Sequence, residues 1–313
     1  MKLRLRTFLD YEDTYSLKGI AMLMIIIGHA INGYPRTDTG YFYPGWLDAL
    51  HMELWAAMGV SIFFFLSGYG IFLTLDKRQG SIDLKYVLSK VRKLFVPLLV
   101  YWCVEIVTLL IFNRQELTTH IFREIITFSI HPDVENWFFK VIVPAYVIMF
   151  GLFMTRIPNV VRVILMFALT LAYMLIFRKA GFGLWWYNTI LALPFGALVA
   201  YRKELFAKMP PAIVCLVCAA AMASIYLFHF NSIVFNAIAP FLFIYLIRIV
   251  NINNKLLNFI GFNSFLFYFI ECPVLDEIVK FSYKNFPLYC LLAIAVTYLL
   301  VKLAAHRLSP VRS

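Results

Sequence analysis

The chain predicts an all-α fold, a polytopic bundle of membrane-crossing helices with both termini in the cytoplasm. Three observations carry that expectation. Of 313 residues, 62% are hydrophobic and only 14% charged, where a soluble domain has roughly 45–50% and about 25%. Apolar runs close to the ~20 residues that cross a bilayer recur along the whole length, and mean hydropathy is +0.81. Lysine and arginine are shared unequally between alternate connecting segments, the pattern expected of cytoplasmic loops. That asymmetry also accounts for the net charge of +11, so the partner implied by the basic balance is a lipid bilayer and not a nucleic acid.

Ten spans are expected, at about 17–34, 54–75, 94–112, 137–155, 159–177, 184–201, 211–229, 232–250, 257–279 and 286–305. The first holds Lys18 and His29. Glu53 stands at the mouth of the second. Lys90, Arg92 and Lys93 precede the third, which contains Glu105, and Trp137 opens the fourth. Arg156–Asn159 and His229–Ser232 read as tight helix–helix turns. Asn236 and Pro240 interrupt the eighth span, and Glu271 and Pro273 the ninth. With the N-terminus inside, cytoplasmic segments hold 19 of the 28 Lys and Arg residues and the opposite side 8; the remaining one is Lys18.

One membrane domain over 1–313 is therefore expected, with no appended soluble domain, no internal repeat and no cleavable signal peptide. Basic Met1–Arg6 gives way to Asp10, Glu12 and Asp13 rather than to an apolar run with a cleavage site. The five cysteines all fall in apolar segments. Cys215 and Cys218 form a CxxC without a second ligand pair, which reads as small buried thiols, and no metal is expected.

Lys18 and His29 carry the strongest functional signal, because an ionisable group within a span must face protein, water or a ligand. Eleven residues apart, they project from nearly the same helical face, ~16 Å apart along the axis. Three further segments stand out. They are Phe63-Phe64-Phe65-Leu66-Ser67-Gly68-Tyr69, the basic cluster Lys90, Arg92 and Lys93 before Pro97, and Asn136-Trp137-Phe138. Together with Leu17-Lys18-Gly19 and Ile27-Gly28-His29, these resemble, in order, the signatures of the acyltransferase-3 family of integral membrane acyltransferases. Leu193-Pro194-Phe195-Gly196 and Asn263-Ser264-Phe265 are looser echoes. The likeness covers most of the chain and is specific in its first hundred residues. Three departures stand out: Tyr15 where the family often has an acid, Lys18 in place of arginine, and Glu271 where members commonly carry a second histidine.

The resemblance implies a membrane O-acyltransferase, most simply an acetyltransferase. It would sit in the inner (cytoplasmic) membrane and have no bound cofactor. Acetyl-CoA or another acyl-CoA would be the co-substrate, and a lipid-linked sugar or surface polysaccharide the acceptor. On the chemistry alone, an alcohol needs a base to attack a thioester, and an imidazole with a reference pKa near 6.5 suits that task. His29 is the candidate base. Lys18 is either a snorkelling lysine or a phosphate contact for coenzyme A. Lys90, Arg92 and Lys93 are either a positive-inside anchor or further donor contacts. Glu105, Glu271 and Glu53 are candidates for a carboxylate that orients His29. Trp137, Trp185 and Trp186 sit where interfacial belts form, and Trp137 is also a candidate acceptor contact. Ser67-Gly68 lacks the partners of a nucleophile and reads as a close helix approach. A different class, a transporter or flippase of a glycan or lipid-linked substrate, would use Lys18, His29 and Glu271 as coupling groups.

Overall fold

The computed structural model describes residues 8–33, 54–78, 84–112, 137–228, 231–250, 252, 254–282 and 285–308. The fold is all-helical. In chain order the helices are α1 (Tyr11–Gly33), α2 (Leu54–Asp76), α3 (Leu84–Phe112), α4 (Trp137–Met154) and α5 (Asn159–Lys179). After a short 3-10 turn at Leu184–Trp186 come α6 (Ala192–Tyr201), α7 (Lys203–Lys208), α8 (Pro211–Phe228), α9 (Ser232–Val250), α10 (Lys255–Phe262), α11 (Ser264–Ser282) and α12 (Phe286–Leu308).

Short polar residues set several helix starts. Asp10 Oδ1 accepts the Asp13 N–H at 2.8 Å at the head of α1, and Glu12 and Asp13 place negative charge in its first turn. Asn231, Asn254 and Asn285 accept in the same way ahead of α9, α10 and α12. At its other end α5 closes through Gly181, whose φ of +79° lets the Phe182 N–H reach the Phe177 carbonyl.

Helix α1 runs through the middle, packed against α2, α9, α10, α11 and α12, while α2 packs most closely on α6. Glycines make those crossings. A Cβ at Gly68 would overlap the Leu193 carbonyl, and one at Gly196 the Phe65 carbonyl, so α2 and α6 touch backbone to backbone. Gly19 and Gly261 do the same where α10 lies across α1, against the Leu257 and Tyr15 carbonyls. A 2.7 Å hydrogen bond from Ser16 Oγ to Asn258 Oδ1 fastens that crossing.

Two expected spans take another form. The ninth is divided at Asn263, where α10 and α11 meet with a bend of 84°. The sixth is not one helix: residues 184–191 form tight turns, and only the ten residues of α6 are α-helical. Its backbone is satisfied locally, with Tyr187 N–H donating to Leu184 O and Ala192 N–H to Thr189 O. Irregular backbone is tolerated at membrane depth where protein surrounds it. Here Trp186 is 1% exposed, stacked on Phe177 and edge-on to Phe182. Trp186 is thus a core residue and not part of an interfacial belt, whereas Trp185 is 47% exposed. Among the described residues, seven helices are long and apolar enough to cross a membrane, or eight when the bent pair counts as one span.

Candidate functional site

His29 lies in the C-terminal half of α1 and meets Glu271, half-way along α11 and 242 residues away, at 2.5 Å between Nδ1 and Oε1. With Glu271 ionised, its carboxylate accepts, the imidazole donates through Nδ1–H and the basic lone pair is on Nε2. The partners differ in access: the Glu271 side chain is fully buried, while that of His29 is 30% exposed. An ionised group wholly enclosed in protein is costly unless partnered, so Glu271 reads as a dedicated partner of the ring. Of the three carboxylates considered from sequence, Glu271 is the one placed against His29. Glu53 lies outside the described residues, as does the side chain of Glu105.

Cys272 joins this pair, its Sγ 3.9 Å from His29 Nδ1 and 3.6 Å from Glu271 Oε1. The three ligand-type atoms lie within 4.8 Å of one another, close enough to hold a metal ion. Two nitrogen or oxygen ligands of a tetrahedral zinc would stand about 3.3 Å apart. The 2.5 Å between Nδ1 and Oε1 is that of a hydrogen bond. The sequence offered Glu271 as one of three candidate partners of His29, but nothing in it selected Glu271 or brought Cys272 to the ring.

Lys18, about three turns earlier on α1, lines a separate cavity of about 470 Å³ between α1, α2, α3 and α4. Its ammonium lies 5.5 Å from the Tyr15 ring centre, and among the described residues it forms no ion pair. Ser67 and Thr74 of α2 and Tyr146 of α4 share the cavity wall, and the Tyr146 hydroxyl donates to Ser67 Oγ at 3.1 Å. Adjacent residues of the Ser67-Gly68 pair thus divide the work: glycine makes the helix crossing and serine faces the cavity. Tyr86 of α3 completes the wall, with the Arg78 guanidinium 4.6 Å from its ring centre. Tyr146, Tyr86 and Arg78 were not singled out from sequence. A tyrosine in an apolar run gives no signal until its hydroxyl finds a partner across the bundle.

Arg92 is exposed on α3 and is not part of the lining of the Lys18 cavity; the side chains of Lys90 and Lys93 lie outside the described residues. Trp137, half-buried, packs edge-on against Phe138 and tilted against Trp186. A further cavity of about 270 Å³ between α4, α5 and α6 is apolar apart from Lys140, Thr170 and Tyr173, and includes none of the residues expected from sequence to form the site.

The acyltransferase-3 family model, described as an acyltransferase domain, matches residues 15–304. No curated protein and no solved structure matches the chain. The matched segment is nearly the whole chain, and it contains both the Lys18 cavity and the His29–Glu271 pair. The chain belongs to the acyltransferase-3 family.

Proposed function

We propose that this membrane acyltransferase moves an acetyl group from cytoplasmic acetyl-CoA to a hydroxyl of a lipid-linked sugar or surface polysaccharide, in the cytoplasmic (inner) membrane. The observation that carries the reading is the buried Glu271 carboxylate against His29 Nδ1 at 2.5 Å. This is the arrangement of a general base with a group that fixes its tautomer and stabilises its protonated form.

In this scheme coenzyme A docks from the cytoplasm with a phosphate near Lys18, and the pantetheine arm runs outward along α1 and α2. His29 Nε2 takes the proton of the acceptor hydroxyl as the oxygen attacks the thioester carbonyl. The tetrahedral intermediate collapses, the C–S bond breaks, and the departing thiolate takes the proton back from the imidazolium. Ester and free coenzyme A leave. Seating the reacting carbonyl inside the bundle keeps water from hydrolysing the thioester. Arg92, Lys90 and Lys93 add positive charge on the donor's side of the membrane, where they serve anionic headgroups or the donor phosphates.

The test is radiolabelled acetyl-CoA given to purified protein with candidate glycan acceptors. Label is expected in the acceptor, and His29→Ala abolishes it with expression intact. Full activity of His29→Ala overturns the base assignment. The 84° break between α10 and α11, about two turns before buried Glu271 on the chain, also suits a transporter, whose sites use interrupted helices. Acceptor movement across vesicles without label transfer would favour that reading.

A further inference from the structure

Between Lys18 and His29, by register along α1, lies a small chamber. It is lined by Ile25 of α1, Val60 and Phe63 of α2, Phe138 of α4, and Ser264, Phe265 and Tyr268 of α11. Its position follows from helix registers. Ile25 lies one turn before His29 on α1, and Tyr268 one turn before Glu271–Cys272 on α11. On α2, Phe63 lies one turn from Ser67, which lines the Lys18 cavity. A chain reaching from Lys18 toward His29 along the α1–α2 seam meets this chamber immediately before the base.

Apart from Ser264 and Tyr268 its lining is apolar, and it is small, about 10 Å³, or room for about one water-sized group. Its walls interlock through Phe138, whose ring lies 6.5 Å from Phe63, 6.2 Å from Phe265 and 5.7 Å from Tyr268. Val60, Phe63 and Phe138 are all buried. Close-packed aromatic walls do not open for an added methylene without displacing a neighbour.

Resting on the acyl-CoA reading above, we infer that this chamber seats the alkyl end of the transferred acyl group and restricts the donor to acetyl, Phe63 and Phe265 being the specificity-determining walls. The acetyl methyl fills the space. The two further methylenes of butyryl require an aromatic ring to move, and the thioester carbonyl then sits away from His29.

The experiment compares acetyl-CoA and butyryl-CoA binding to the purified protein in lipid nanodiscs. Wild type is expected to bind acetyl-CoA at least roughly tenfold more tightly, the lower end of what methylene-sized discrimination gives. Phe63→Ala, and independently the milder Phe265→Leu, shrink or invert that ratio. Lys18→Met weakens both donors in the same proportion, because it acts at the coenzyme end. Equal binding of the two donors by wild type, or a ratio unmoved in both wall variants, overturns the chamber's role; if Lys18→Met still weakens both donors, the acyl-CoA reading stands. If neither donor binds, that reading falls and takes the inference with it.

Discussion

The inner stack of α1, α2, α6, α10 and α11 and the outer shell of α8 and α12 are both apolar in sequence, α8 and α12 more so than α1 and α2, yet they are used differently. In the most apolar stretches of α1 and α2, 61% of residues are buried in the bundle, against 11% for α8 and 22% for α12. Side chains such as Leu216, Val217 and Leu303 are more than half exposed, as expected of helices whose neighbour is lipid. The inner helices carry instead glycines that let backbones touch, and the ionisable residues of the site. Hydropathy therefore identifies spans, while small and charged residues identify which of them are interior.

If that division is right, the effects of substitution fall off from the inner stack to the shell. The largest belongs to His29→Ala, expected to reduce acyl transfer by roughly 10²- to 10⁴-fold, measured as labelled product per unit of membrane protein. Glu271→Gln keeps the shape but removes the charged acceptor. Its expected loss is roughly 10- to 100-fold, with the acid limb of the pH–rate profile displaced, which a purely structural role would leave in place. Acidification itself lowers the wild-type rate, since a protonated imidazole cannot act as base.

Gly196→Val drives a side chain into the Phe65 carbonyl and should destabilise the bundle by roughly 1–3 kcal/mol, read as earlier thermal aggregation in detergent. Lys18→Met is expected to raise the donor KM roughly tenfold with a smaller change in kcat, the signature of lost ground-state binding. At the far end, Leu216→Ala on α8 should change stability by no more than about 0.5 kcal/mol. A large loss there would show α8 to be packed against a partner and not against lipid, and would break the comparison.

Much of the inner stack was legible before the structure. Lys18 and His29 share one helix, so their spacing alone puts them on one face, and Gly68 was readable as a close approach because little else suits an SG pair in an apolar run. The partner of His29 was not readable. Glu271, Glu105 and Glu53 were equivalent by residue type, and only the packing of α11 on α1 showed Glu271 against the ring. The sixth span misled for a related reason. Residues 184–201 are apolar enough for a helix, but Trp186 gains more by entering an aromatic cluster with Phe177 and Phe182 than by facing lipid.

Local chemistry thus sufficed for the class of solvent, the helical character of the chain and the stripe of Lys18 and His29 along α1, because each depends on residues within a few turns of one another. The third dimension alone decided which carboxylate holds the imidazole, which tyrosines wall the lysine cavity, and how small the chamber between them is. Those depend on distances between segments tens to hundreds of residues apart, set by where glycines let helices touch.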